Sequence, residues 1–355
     1  MVSAKELRCV ITKVSPNMML ARDLLGDGDG TLLLRAGTIL TVNLIRLLQQ
    51  WGVCVLDVVA DKQGSPKAAV DSVNGLSVKY QDTVNQVRQA FGSISHFKEV
   101  PLRKMRELAN QSIEPLVHSG SILSQLHVMR RIDDDYTFNH SVNVAIIAGI
   151  LAKWVGYKEK DLKDIILAGL LHDVGKTQIP LNILNKPGKL SADEMEIMRL
   201  HSTFGYHFIR QTNGVPKAVA LSILQHHERL DGSGYPQGLK TDEIHYAARI
   251  VAISDVYDAL TSDRVYRRGL TPFTAVEMLI DEMGHQLDAH VCSTFLLNVR
   301  DYLIGNVVML SDGREATVVL SGRFMADRPL VRTVDGEFID LEQNKELTIT
   351  KILQA

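Results

Sequence analysis

LLHDVGKTQIP, residues 170–180, sets a histidine, an aspartate and a lysine at the end of an apolar run. From Lys160 onward, Leu162, Ile165, Ile166, Gly169, Leu170 and Asp173 fall on one helical face, so the acid closes a buried stripe. Gly175 reads as the stop of that helix, with Lys176 presented just beyond it. An ionised carboxylate buried without a partner is costly, and a buried imidazole has two ring nitrogens to satisfy. His172 and Asp173, adjacent in such a setting, ask for a cation.

The same residue types recur on both sides of that stretch. His140 shares a helical face with Val144 and Ile147. His201 follows a Ser191/Glu194 capping box and shares a face with Ile197 and Met198. His226 and His227 are adjacent, and Asp255 lies one turn after Val251. Taken singly, each histidine reads as hydrogen-bonded core, which is how His96, His118, His127, His207, His245, His285 and His290 are read. The seven together point to a metal centre, built as helical bundles build them, from core faces of several antiparallel helices. The natural partition gives His140, His172 and Asp255 to one metal and His201, His226 and His227 to another, with Asp173 between. Two metals roughly 3.5–4 Å apart can hold a bridging hydroxide and clamp a phosphate, so the chemistry read here is phosphodiester hydrolysis. Lys176 can neutralise charge on the phosphoryl group. Nitrogen and oxygen ligands without thiolate suit iron, manganese, zinc, cobalt or nickel.

A second constellation runs from His226 to Pro236, HHERLDGSGYP. Gly232, Gly234 and Pro236 make a stiff loop directly after two ligands, and Tyr235 offers an aromatic face or a phenol beside them. A substrate-binding loop is the reading preferred over a plain turn. Arg264 and Arg267, one turn apart after Asp255, could bind phosphate or stack on a base, or form a solvated basic turn.

The rest of the chain is read around this region. At 355 residues it has room for two or three domains. A net charge of −2 gives no general attraction to nucleic acid polymers or to anionic membranes. Cys9, Cys54 and Cys292 form no CxxC pair, which argues for a reducing compartment. The N-terminus lacks a secretory h-region, and Val142–Val155 is too short to span a bilayer, so a cytoplasmic protein is expected. Residues 1–60 read as a small α/β accessory domain, with a reversal at residues 26–30 and a helix capped by Thr41. That helix carries Leu44, Ile45, Leu47 and Leu48 and stops at Gly52, before a strand at 53–59. Residues 61–124 read as a linker, placed at 60–76 by composition, and connecting helices. Residues 125–304 hold the helical His/Asp region. Residues 305–355 read as a β appendage of three or four strands. The fold class is mainly α.

His140, LHDVGK at 171–176, His201, His226-His227, Gly234-Tyr235-Pro236 and DVYDALTSDR at 255–264 closely resemble the HD-GYP family, a branch of the HD metal-dependent phosphohydrolases. The resemblance covers about half the chain. It implies a helical HD-type bundle with two divalent metals, most often iron or manganese, that hydrolyses cyclic di-GMP to pGpG and in many members to GMP. Matched residue by residue, it implies His140, His172, Asp173, His201, His226, His227 and Asp255 as ligands and Lys176 beside Asp173 as catalytic. Gly234, Tyr235, Pro236, Arg264 and Arg267 match positions that contact the dinucleotide. The chain departs from the pattern twice. Tyr136 stands where trinuclear members carry a glutamate, and Leu181 follows Ile179-Pro180 where the family often has aspartate. Two other readings are carried alongside: a receptor whose GYP loop recruits diguanylate cyclase domains, and a phosphohydrolase for another cyclic dinucleotide. The long helices before His140 offer a surface for a homodimer.

Overall fold

The computed structural model describes residues 6–14, 18–25, 32–34, 36, 38, 40, 42–59, 69–97, 99–118, 136–263, 269–320 and 328–354. The N-terminal unit comprises β1 (Glu6–Val10), a 3-10 turn (Ile11–Lys13), β2 (Met19–Leu20), β3 (Leu24–Leu25), β4 (Leu32–Leu34), α1 (Val42–Gln50) and β5 (Val55–Val59). β5 is the centre of a three-stranded antiparallel sheet, pairing Glu6 with Val59 on β1 and Leu20 with Val58 on β2. Leu44, Ile45, Leu47 and Leu48 do form the buried stripe of α1, packed with Leu20, Leu34, Leu56 and Val58. Gly52 (φ 77°) ends that helix in the left-handed region that glycine adopts without strain. Thr41 and the reversal at 26–30 lie outside the described residues.

α2 (Ala69–Phe97), α3 (Leu102–Glu107), a π-helical turn (Leu108–Ile113) and α4 (Glu114–Val117) follow. α2 begins inside the stretch whose composition reads as linker. Asn74-Gly75 does not stop it, because Tyr80, Val84, Val87, Phe91 and Ile94 anchor the later turns in the main core, and adding turns to a formed helix costs little.

The helical body is α5 (Tyr136–Trp154), α6 (Glu159–Leu171), a 3-10 turn (Val174–Gln178), α7 (Leu181–Leu184), α8 (Ala192–Arg199), α9 (His201–Arg210), α10 (Lys217–Gln225), α11 (Tyr246–Thr261), α12 (Pro272–Glu282) and α13 (Ala289–Leu303). α5 is apolar around its circumference and buried, so it is the axis on which the others pack. α6 lies so close that a Cβ on Gly169 would meet the Ala145 Cα at 2.8 Å. The predicted Ser191/Glu194 capping box is present, with the Ser191 hydroxyl accepting from Glu194 N–H at 3.2 Å. Two local expectations are corrected. α6 ends at Leu171, and Gly175 sits inside the 3-10 turn rather than stopping a helix. α8 and α9 bend apart at Leu200, so Ile197 faces solvent instead of sharing a core face with His201.

The C-terminal strands β6 (Val307–Leu310), β7 (Glu315–Leu320), β8 (Leu330–Thr333), β9 (Phe338–Asp340) and β10 (Ile349–Gln354) form one antiparallel sheet in the order β10-β6-β7-β8-β9. It has five strands, not three or four. β10 returns to pair with β6, and its buried Ile349 and Ile352 flank the charged Lys351, which hid the strand from a search for apolar runs. The buried face of this sheet joins the helical core, while Ile304, just before it, packs into the N-terminal cluster. The fold is mainly α, with a small α/β unit before the helices and a sheet after them. Among the described residues, no helix is long and apolar enough to cross a membrane.

Candidate metal centre

Five segments deliver the seven sequence-derived ligands to one place. His140 comes from α5, and His172-Asp173 from the corner between α6 and the 3-10 turn. His201 opens α9, His226-His227 follow α10, and Asp255 comes from the middle of α11. They gather as two sets, Asp173 with His201, His226 and His227, and His140 with His172 and Asp255, each set with its donor atoms within 4.8 Å of one another. Asp173 links the two. Its Oδ1 is 3.3 Å from His201 Nε2, and its Oδ2 is 3.3 Å from His172 Nε2 and 3.7 Å from His140 Nε2.

The backbone aims the rings. The last carbonyls of a helix have no intrahelical donor. His172 Nδ1 donates to Gly169 O (2.7 Å), His201 Nδ1 to Met198 O (2.7 Å) and His226 Nδ1 to Ile223 O (2.9 Å), so one device is used three times. A carbonyl only accepts, so each Nδ1 carries the proton and each Nε2 turns a lone pair inward. His201 Nε2 and His226 Nε2 then face each other at 3.4 Å with no proton to share. His172 Nε2 and Asp173 Oδ1 are buried without a hydrogen-bond partner. Lone pairs and carboxylate oxygens converging in a largely buried site repel one another unless a cation lies among them. The donor set therefore fits a divalent metal site of nitrogen and oxygen ligands.

His140 is held differently. Its Nδ1 meets Asp258 Oδ2 at 2.7 Å, and Ser262 Oγ donates to the same oxygen at 3.1 Å. This is the carboxylate–histidine arrangement that orients metal-binding imidazoles. Asp258 was absent from the sequence reading, although it stands one turn after Asp255 and three residues is a same-face spacing.

Charge in the metal-free protein is unevenly spread. Burial alone would lower the pKa of His140, but hydrogen bonds to Asp255 and Asp258 outweigh it and raise it to about 9. Burial, reinforced by the neighbouring His172 and His201, drops His226 to about 3, and burial lowers His201 and His227 as well. Burial would raise Asp173 and Asp255, yet Lys176, His172 and His201 hold the first well below the usual carboxylate range, and His140, His172 and His227 hold the second there. At pH 7 His140 thus carries a proton on a nitrogen that a metal would need, while His201, His226 and His227 are already neutral. Metal titrated into metal-free protein at pH 7 is expected to release about one proton per chain from His140. Calorimetry in buffers of different ionisation enthalpy measures this, and the release should fade as the pH approaches 9. Heats independent of the buffer would contradict the assignment.

Beyond the ligands, Lys176 Nζ lies 2.5 Å from Asp173 Oδ2. Tyr235 stacks on His227, with ring centroids 4.6 Å apart at 27°, and sets its edge to His201 at 6.3 Å. Burial, with Asp173 and Asp255, pushes the Tyr235 phenol up against the opposing pull of Arg199 and Arg229, so it stays neutral. The loop bearing it is fixed by Glu228, a carboxylate only 3% exposed that accepts from Gln237 N–H (2.7 Å) and Leu239 N–H (3.0 Å). Gly234 is required there, since a Cβ would fall 2.3 Å from Arg229 N. Pro236 follows on the exposed rim. The sequence reading assigned no role to Glu228 or to Arg199, whose guanidinium lies 5.3 Å from the Tyr235 ring centre. Leu181, 71% exposed, stands at the start of α7. Arg264 and Arg267 lie outside the described residues.

Comparison with known proteins meets this geometry at residues 123–291, which match the family model described as HD domain. This part of the chain is similar to HD domains. Its His172-Asp173 pair and its Gly234-Tyr235-Pro236 loop are the two motifs of the HD-GYP branch. A cyclic di-GMP phosphodiesterase of Pseudomonas aeruginosa is 38% identical over 59% of this chain and 50% of its own length. One of Thermotoga maritima is 40% identical over 41% of this chain and 40% of its own. A 3'3'-cGAMP-specific phosphodiesterase of Vibrio cholerae is 37% identical over 51% of this chain and 43% of its own. The chain thus matches half or less of the length of these relatives. Among solved structures, an HDG"Y"P protein from Bdellovibrio bacteriovorus covers 82% of this chain and 98% of its own, with a TM-score of 0.50 at 17% identity. That likeness speaks to the fold of the HD domain and its flanking units.

Proposed function

We propose that the chain is a metal-dependent phosphodiesterase that hydrolyses cyclic di-GMP to pGpG and onward to GMP, with two divalent metals, iron or manganese, held by the seven ligands. The observation that carries this reading is the inward convergence of imidazole Nε2 lone pairs and two carboxylates, with Nδ1 committed to backbone at three of the histidines. Divalent metal bound there supplies Lewis acidity toward a phosphoryl oxygen and a water that ionises near neutral pH. The chain's own groups do the rest. Asp258 and the three backbone carbonyls fix the rings before substrate arrives. Lys176 places an ammonium against Asp173, where it can neutralise charge growing on the phosphoryl oxygens. Tyr235 presents a neutral phenol and an aromatic face to the dinucleotide, and the anchored loop keeps it there.

Lys176→Ala is expected to keep its metal and to slow turnover about 10²-fold, the scale for removing one donor to transition-state charge. Metal analysis and steady-state kinetics on the same preparation would show it, and an unchanged kcat would remove Lys176 from the mechanism. The test of the function itself is to express the chain with iron or manganese, count metal per chain, and separate the products of cyclic di-GMP. Metal with pGpG or GMP supports the reading, and absence of metal sinks it.

The cGAMP-specific relative, at 37% identity, comes close to the 38% and 40% of those named for cyclic di-GMP, which favours a second substrate reading. Competition among cyclic dinucleotides decides between them. Recruitment of a diguanylate cyclase domain would use the exposed rim of the loop, at Asp231, Ser233 and Pro236. A pull-down lost in Tyr235→Ala and kept in Asp173→Asn would favour that role, and sedimentation tests the homodimer.

A further inference from the structure

Arg199 is the last residue of α8, two before His201, and is exposed at the bend between α8 and α9. Its guanidinium rests over the ring of Tyr235, which in turn stacks on His227. It therefore stands one aromatic ring outside the ligand set. A cation–π contact of this kind consumes none of the five N–H donors of the guanidinium.

Some arginines of the chain are paired with carboxylates, and others, such as Arg210 and Arg332, lie over aromatic rings as Arg199 does. Arg249 reaches Asp288 at 2.9 Å, and Arg314 holds Asp312 and Glu337 at 2.7 and 2.8 Å. Arg199 has no carboxylate within salt-bridge distance among the described residues. Arg229, whose charge also bears on Tyr235, makes only a 3.1 Å hydrogen bond to the Glu228 carbonyl. Lys176, by contrast, is already committed to Asp173. Among the described residues, the site thus has an inner cation tied to the ligand set and an outer pair with no carboxylate in salt-bridge reach.

A cyclic dinucleotide carries two phosphodiesters in one small ring. With one of them at the ligands beside Lys176, the other must lie within the width of that ring, toward the mouth. We propose that Arg199 is a substrate-binding residue that grips the phosphodiester that is not cut, an assignment that rests on the phosphodiesterase reading above. A planar guanidinium fork suits bidentate contact with phosphate oxygens better than a point charge does. The interaction is made equally in the ground and transition states, so it contributes to KM and not to kcat.

The experiment compares full-length, metal-loaded wild type, Arg199→Ala and Arg199→Lys on two substrates. One is cyclic di-GMP, and the other is bis(p-nitrophenyl) phosphate, which has a single phosphodiester. Arg199→Ala should raise KM for cyclic di-GMP about 10- to 100-fold, the scale of lost charge-assisted hydrogen bonds, with kcat held within about twofold. Its KM and kcat on bis(p-nitrophenyl) phosphate should match wild type, and Arg199→Lys should recover part of the loss. Binding of a non-hydrolysable phosphorothioate analogue of cyclic di-GMP, measured by calorimetry, should weaken by the same factor. Equal losses on both substrates, a fall in kcat alone, or no change in binding would each overturn the assignment. Wild type that binds the analogue but cuts no cyclic dinucleotide would overturn the functional reading, and the binding ratio would still decide Arg199. Wild type that binds no analogue would overturn the assignment of Arg199.

Discussion

Asp173→Asn should reduce turnover to background and cut bound metal by about half or more, since the oxygens of this one carboxylate lie against histidines of both sets. The substitution conserves volume in a position only 3% exposed, so packing is preserved and the change is one of charge and donor chemistry. In the wild type, Asp173 offers acceptors on both sides, to His201 and to His172 and His140. The amide of asparagine has an NH2 group that can donate to one of those inward lone pairs. It would satisfy without metal what the native carboxylate leaves unsatisfied. The variant also loses the Lys176 attraction that holds the native carboxylate charged, so without metal it should melt somewhat lower than metal-free wild type. The larger difference appears on adding metal, which stabilises a folded site by about 2.7 kcal/mol at a hundredfold excess over Kd. Wild type should show that rise in melting temperature and the variant should lose most of it. A variant with full metal and full turnover would remove Asp173 from the centre.

The candidate ligands stand out in the sequence because each interrupts or ends an apolar pattern, and metal chemistry is a common explanation for such interruptions. The partition read from the sequence placed Asp173 between two sets, and the structure groups it with His201, His226 and His227, apart from His140, His172 and Asp255. What stayed hidden are residues that act on neighbours. Asp258 looks like any acid near a helix end until His140 Nδ1 is seen on it. Glu228 is one letter inside a loop motif, and its two backbone partners lie nine and eleven residues on. Arg199 is recognisable only after the loop has folded back to set Tyr235 beneath it. In the fold, the helices with continuous apolar faces were legible. The fifth strand of the C-terminal sheet was not, because its pairing with β6 is long-range and its run is broken by Lys351.

Gly175 was read for the wrong reason, and its actual role yields the second large effect. It lies within the 3-10 turn, where that turn meets the first turn of α9 backbone to backbone. A Cβ there would fall 1.8 Å from the His201 carbonyl oxygen and 2.5 Å from Gly205 N. Neither neighbour is a flexible side-chain end, so the turn and α9 must separate. Asp173 precedes this turn and His201 opens that helix, so the same separation pulls apart two candidate ligands whose facing atoms are now 3.3 Å apart. Gly175→Ala is expected to destabilise the fold by about 3 kcal/mol or more, the upper end for overpacking, and to lose metal in whatever protein remains folded. Gly92→Ala provides the opposite case. Gly92 is an exposed interior residue of α2, and a Cβ there meets nothing within 4 Å. It should stabilise by up to about 1 kcal/mol, because alanine loses less chain freedom than glycine on entering a helix. Chemical denaturation of both variants, with metal content measured alongside, checks the pair. If Gly175→Ala were as stable and as metal-rich as wild type, the close approach of the turn to α9 would not exist in solution, and the placement of His201 against Asp173 would need another cause.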